Sequence, residues 1–271
     1  MKLGFIGVGN MASAIIKGIV KNGFIQGNHI FVYDHHPERL ITLVEELQLQ
    51  ICTSETEVIS KVDTLMFAVK PNTILSLVQQ FAPLLNEKQI TILSIAAGTT
   101  LEQLQLALGN DKALPIIRIM PNVNATVGLG AAAICGNQQT SAEQLEEIVA
   151  MFNAIGKAWI LPEKDFSNFT AIAGSSPAYA YLFIDALSRA AVKHGLPKAL
   201  STQIAAQAVL GSAKMILDSN ESPWNLIDTV CSPGGTTVAG LLAMEEANFM
   251  TSIIKGIDAT IAKDQELQSK K

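Results

Sequence analysis

The residues whose types and spacing hold the most chemistry stand at the start of the chain, where Gly7-Val8-Gly9-Asn10-Met11-Ala12 fits the pattern GxGxxG/A. A glycine turn by itself marks only a sharp bend. Here it follows an apolar run ending at Ile6 and opens a segment with helical spacing, the context that a dinucleotide-binding turn requires. Gly7 permits the tight turn. Gly9 lets backbone approach a pyrophosphate at the positive end of the next helix, whose first turn holds Asn10 and Met11, and Ala12 keeps that helix close to the sheet. Asp34, at the end of the second apolar run, is placed to take a free ribose 2′-hydroxyl, which favours NAD. His35, His36 and Arg39 could instead hold a 2′-phosphate, or the histidine pair is simply a solvated loop before Pro37. Two further loops, Ala68-Val69-Lys70-Pro71 and Ile95-Ala96-Ala97-Gly98, have small residues that let a cofactor lie against backbone. Lys70 is either a phosphate or ribose contact or a solvated cation.

A second group lies far along the chain. Gly174-Ser175-Ser176-Pro177 puts two hydroxyls before a helical segment, as caps or as site residues. Cys231-Ser232-Pro233-Gly234-Gly235-Thr236-Thr237 is more distinctive, because a proline, two glycines and two threonines ahead of a helix make a loop with free backbone N–H groups. Threonine capping explains one Thr but not the glycine pair, so this loop is read as an anion site suited to a carboxylate.

The elements that position these residues follow from periodicity. Up to residue 162, short apolar runs alternate with helical spacings. Strands are expected at Lys2–Ile6, His29–Tyr33, Thr64–Ala68, Ile90–Ser94, Ile116–Met120 and Gly130–Cys135. Helices are expected at Met11–Asn22, Pro37–Gln48, Thr56–Lys61, Asn72–Leu85 and Leu101–Leu108. Thr99 with Glu102, and Thr140 with Glu143, have capping-box spacing, and Gly156 is expected to close the second of those helices. The alternation predicts a doubly wound parallel sheet. From residue 163 only helices are expected: Asp165–Ile172, Pro177–His194, Lys198–Ser219, Pro223–Val230, Thr236–Ala247 and a last one to about Lys270.

Bulk composition narrows the class. Hydrophobic residues make up 49% of the 271 and charged residues 16%, with no apolar run of the roughly 18–20 residues that a membrane span needs. The surplus apolar residues of the helical half are expected to be covered by subunit association. A net charge of −5 without a basic stripe speaks against a nucleic-acid partner. Cys52, Cys135 and Cys231 are scattered and form no CxxC, so neither a disulfide framework nor a metal site is expected. Met1–Gly7 lacks a leader-peptide cleavage pattern, and a reducing cytoplasm is the expected location.

The stretch containing VCSPGGTTVAGLLAME resembles the signature of pyrroline-5-carboxylate reductases, and the resemblance runs the length of the chain. It includes GFIGVGNMA at 4–12, AVKP at 68–71, SIAAG at 94–98, RIMPN at 118–122, GSSPAYAYLFIDAL at 174–187 and AAQAVLGSAKM at 205–215. One departure is Val123-Asn124, where the family usually reads Thr-Pro, and another is Asp34-His35-His36 beside the expected 2′-phosphate position, to which His36 aligns best. The resemblance implies an α/β N-terminal Rossmann-like sheet over 1–162 and an all-α substrate-binding and dimerisation domain over 163–271. It also implies a homodimer, with assembly up to a decamer.

By the same resemblance the reaction is NAD(P)H-dependent reduction of L-1-pyrroline-5-carboxylate to L-proline, with NADPH preferred and NADH open because of Asp34. Pro121 and Asn122 then join the cofactor residues, and Ser175 and Ser176 line the nicotinamide side. Thr237 partners the ring nitrogen, and the amides of Gly235 and Thr236, within the loop Ser232–Thr237, take the substrate carboxylate. A protonated cyclic imine accepts hydride directly, so no strong general acid is needed. A β-hydroxyacid dehydrogenase would need a lysine in the segment 165–188, and there is none. Reduction of another cyclic imine, or dinucleotide sensing without turnover, are the remaining alternatives.

Overall fold

The computed structural model describes residues 1–109 and 114–269, apart from the side chains of Arg39 and Ser269. Arg39 as a phosphate contact, and the end of the last helix at Lys270, lie outside the described residues. The Cα packing gathers the chain into two compact units, Met1–Gly174 with Thr260–Lys271, and Ser175–Ala259.

The N-terminal unit is built on β1 (Leu3–Ile6), β2 (Ile30–Tyr33), β3 (Gln50–Ile51), β4 (Thr64–Phe67), β5 (Thr91–Ser94), β6 (Ile116–Pro121), β7 (Gly130–Gly136) and β8 (Gly156–Ile160). They form one sheet in the order β3-β2-β1-β4-β5-β6-β7-β8. Alternation along the central strands sorts side chains to two faces. Leu3, Phe5, Met66 and Leu93 join α1 (Asn10–Lys21), α2 (Ile41–Leu47) and α6 (Ala142–Asn153) in one core. Ile6, Leu65, Phe67 and Ile92 join α3 (Glu55–Lys61), α4 (Pro71–Lys88) and α5 (Leu101–Leu108) in the other. Helices on both faces are what a sheet buried on both sides demands.

The structure corrects the expected elements in five places. The sheet is not wholly parallel, because β7 runs antiparallel to β6, and β8 runs parallel to β7. Strands β3 and β8 were not anticipated: β3 has only two exposed residues, and β8 is an edge strand. Both capping boxes sit one residue later, at Thr100 with Gln103 and Ser141 with Gln144. The reason is competition: the Thr99 N–H already closes a turn on Ala96 O, and the Thr140 hydroxyl donates to Ile116 O. Gly156 does not close α6 but opens β8, pressed so near Gly130 that a Cβ would lie 2.0 Å from its carbonyl oxygen. The expected helix 37–48 is a 3-10 turn at Pro37–Arg39 followed by α2.

The remaining helices are α7 (Phe166–Phe169), which runs into a π turn at Thr170–Gly174, then α8 (Ser176–Lys193), α9 (Lys198–Asp218), α10 (Pro223–Val230), α11 (Thr236–Glu246) and α12 (Phe249–Ser269). Among the described residues no helix is long and apolar enough to cross a membrane. In the helical unit α8 packs on α9 through the buried small residues Ser188, Ser201 and Ala205. Lys198 fastens the pair by donating to Asp185 Oδ1 at 2.7 Å and to Ser188 Oγ. The last turns of α12 belong to the N-terminal unit: the buried Asp264 accepts from Ser167 Oγ at 2.9 Å and from Gln268 Nε2 at 2.7 Å.

Candidate active site

Parallel pairing aligns Ile6 with Tyr33 and with Phe67, and Phe67 with Ser94, so the loops after β1, β2, β4 and β5 share one edge of the sheet. That edge is where ligands bind in open α/β sheets. A cleft of about 380 Å³ opens there, lined by the expected Ile6, Gly7, Gly9, Asp34, His35, His36, Ala68, Val69 and Lys70. Tyr33, Thr73 and Leu77 line it as well and were not anticipated. Tyr33 reads as a strand residue, and Thr73 and Leu77 fall on one face of α4, a placement that single residue types do not announce.

The glycine turn fits a dinucleotide phosphate. Gly7 has φ +87°, and a Cβ there would stand 2.8 Å from the Ala68 carbonyl oxygen. Gly9 is the N-cap of α1, makes no side-chain capping bond, and has open space where a Cβ would project. The amides of the first turn of α1 therefore have no acceptor within the helix and face a space free of side chain, the arrangement that receives an anion.

Asp34 has a part that its position alone did not disclose. Its Oδ2 accepts from Val8 N at 2.7 Å and its Oδ1 from His36 N at 2.8 Å, so the carboxylate braces the glycine turn against the end of β2. Lone pairs remain for a ribose hydroxyl, whereas a 2′-phosphate would meet a like charge. The histidines are each paired with a carboxylate, His35 Nε2 with Glu55 at 3.5 Å and His36 Nδ1 with Glu38 at 3.4 Å. Lys70, the N-cap residue of α4, brings positive charge to the same cleft, and Pro71 occupies the first helical position. Partial burial, then the charges of Glu55 and Asp34, push the Tyr33 phenol above its ordinary value.

Ile95, Ala96 and Ala97 follow β5 on the same edge, and Pro121 ends β6. Asn10 and Met11 begin α1, with Asn10 on a separate cleft shared with Ala125–Gly128. The Asn122 side chain is buried, and both ends of its amide are bonded to backbone.

In the helical unit, Ser232-Pro233-Gly234-Gly235 closes a tight turn, with Gly235 N donating to Ser232 O at 2.9 Å and Gly234 at φ +68°. Proline second and a left-handed glycine third is the pattern of a type II turn. This corrects one expectation: the Gly235 amide is used within the turn and is not offered to a substrate. Gly235 is instead the N-cap of α11, and the first intrahelical bond runs from Ala239 N to Gly235 O. The amides of Thr236, Thr237 and Val238 are the ones the helix leaves without acceptors. Ser232, Thr236 and Thr237 are exposed on this loop. Ser175 is the N-cap of α8 but makes no side-chain capping bond, so the capping reading does not account for its hydroxyl.

A single sheet covered by helices on both faces, with a glycine turn at its ligand edge and a helical unit after it, defines a dinucleotide-binding oxidoreductase fold. Comparison with known proteins narrows this. Residues 2–98 match the model described as NADP oxidoreductase coenzyme F420-dependent, and residues 163–267 match that described as pyrroline-5-carboxylate reductase dimerisation. The pyrroline-5-carboxylate reductase of Escherichia coli K12 is 37% identical, covering 98% of both chains. The 1-pyrroline-5-carboxylate reductase of Streptococcus pyogenes superposes with a TM-score of 0.84 at 39% identity, covering 98% of each. The Plasmodium falciparum pyrroline carboxylate reductase, solved with NADP bound, gives 0.87 at 30% identity, covering 99% of this chain and 98% of that one. The chain belongs to the pyrroline-5-carboxylate reductase family.

Proposed function

We propose that this chain reduces L-1-pyrroline-5-carboxylate to L-proline with NAD(P)H, the family likeness favouring NADPH and the Asp34 carboxylate favouring NADH. The observation that carries the reading is the Ser232–Thr237 turn, which presents the first-turn amides of α11 and a threonine hydroxyl together. The near full-length likeness to reductases of that name supports it. Residues 1–162 hold the dinucleotide, and residues 163–271 hold the substrate and associate as a homodimer, with further assembly up to a decamer. The setting is the cytoplasm, with neither nucleic acid nor membrane as partner.

The bound nicotinamide supplies a hydride. The protein's task is placement, because C5 of a protonated imine is already electrophilic. In this assignment the amides of Thr236 and Thr237 hold the substrate carboxylate, and the Thr237 hydroxyl partners the ring nitrogen. Ser175 and Ser176 line the nicotinamide side. The turn after β1, with Gly7, Gly9, Asn10 and Met11, holds the pyrophosphate. Ala68–Pro71, Ile95–Ala97 and Pro121 form the wall along the strand ends.

The test follows NADPH oxidation with pyrroline-5-carboxylate, then with other cyclic imines and 3-hydroxy acids, and compares KM for NADH and NADPH. Thr237→Ala is expected to lower kcat about ten-fold or more, since a hydrogen bond that strengthens in the transition state is worth a few kcal/mol at most. Unchanged kinetics would remove Thr237 from its role. Cofactor binding without turnover on any substrate would favour a sensor, and turnover only on another imine would move the substrate.

A further inference from the structure

We infer that Asn122 is a positioning residue, whose carboxamide locks the end of β6 to the backbone just ahead of Ser175, rather than a ligand of the cofactor. The argument starts from alternation along β6. Ile117 and Ile119 enter one core, while Arg118, Met120 and Asn122 share the other face and each meets the segment 163–174. Arg118, 3% exposed, donates from Nη1 to Glu163 Oε1 at 2.8 Å, and its guanidinium lies 4.6 Å from the Phe166 ring centroid. Met120 packs in the cluster of Phe166 and Phe169. Asn122, 5% exposed, donates from Nδ2 to Ala173 O at 3.0 Å and accepts at Oδ1 from Ala131 N at 3.0 Å.

Only one orientation of the amide satisfies both partners, because Ala173 offers an acceptor and Ala131 a donor. The side chain thus joins the start of β7 to the π turn Thr170–Gly174, and π turns gather at functional sites. From Ala173 the chain passes through Gly174 to Ser175 and Ser176, the two hydroxyls assigned to the nicotinamide side. The inference rests on that assignment.

Asn122→Asp and Asn122→Ala in the full chain separate the two bonds. The ionised aspartate keeps an acceptor for Ala131 N but loses the donor to Ala173 O, and alanine loses both. Both variants are expected to lower kcat about ten-fold while NADPH Kd moves less than about two-fold, the pattern of lost placement rather than lost binding. Amide exchange should quicken at 174–178 in both, and at Ala131 in the alanine variant alone. Relative to wild type at each pH, acidification should restore the aspartate variant only, since its protonated carboxyl can donate. An NADPH Kd that weakens in step with kcat/KM would make Asn122 a cofactor ligand, and an unchanged kcat with a lowered Tm would leave it a packing residue. Either result overturns the inference. If the alanine variant does not fold, the near-isosteric aspartate variant decides. Should the wild type fail to turn over the imine, the proposed reaction falls, and exchange at 174–178 still tests the anchor: unchanged rates in the aspartate variant would sink it.

Discussion

In the N-terminal unit Phe5, Ile15, Ile16, Phe67 and Phe152 are almost wholly enclosed between sheet and helices, while in the helical unit Leu182 and Leu217 stand 69% and 79% exposed. Helices α10 and α11 contain no buried residue at all. The first unit completes its core from its own strands and helices. The second carries apolar faces along α8, α9, α11 and α12 that its own fold leaves open, including Leu210, Leu242 and Ile253. Exposed apolar surface on this scale marks an association surface, in keeping with the match of residues 163–267 to a dimerisation model. A dinucleotide site needs a rigid scaffold and has one. The helical unit is completed by the partner copy we propose.

That contrast can be broken most directly on the open faces. Leu182→Glu combined with Ile254→Glu is expected to reduce the particle to a single chain by light scattering, since desolvating unpaired charges in an apolar interface costs several kcal/mol. An unchanged mass would place the association elsewhere. A smaller effect is expected inside the N-terminal unit, where Asp264→Ala removes the acceptor of the Ser167 hydroxyl and one of the two acceptors of Gln268 Nε2, the other being Ser167 Oγ. Urea unfolding should show a loss of about 1–3 kcal/mol. No loss would mean that the last turns of α12 do not contribute to that unit's stability. The smallest effect concerns acid. Lys61, then Thr53, hold the Glu57 carboxyl down from 4.5 to about 2. The stabilisation is therefore complete above about pH 4.5 and is lost as pH falls toward about 2. Because the pair is exposed, high salt should erase the difference between wild type and Glu57→Gln in Tm at neutral pH. A salt-independent difference would contradict it.

Much of the fold was legible because buried parallel strands announce themselves as apolar runs, and the six expected strands agree to within one residue at either end. What escaped had physical reasons. β3 and β8 lie at the sheet edges and lack such runs. The capping boxes slipped by one residue because Thr and Ser, or Glu and Gln, stand side by side, and only tertiary bonds at Thr99 and Thr140 decide between them. The reversal of β7 is a matter of topology, which periodicity does not encode. At the site, residue types located the cleft well but not their bonding. Asp34 proved to be tied to Val8 N and His36 N, and the Gly235 amide to Ser232 O.

The reversal of β7 has a metric consequence. Because β8 follows β7, it ends away from the ligand edge, and segment 163–174 must travel back along β6 to reach it. From Arg118 to Asn122 the strand advances about 13 Å at roughly 3.3 Å per residue. From Glu163 to Ala173 a helical chain advances about 15 Å at roughly 1.5 Å per residue. The two lengths are of the same order, the helical segment being a 3-10 turn at Glu163–Asp165, α7 and the π turn at Thr170–Gly174 in succession. Inserting one residue into either would put the other out of register, so β6 and the strut beside it can change length only together.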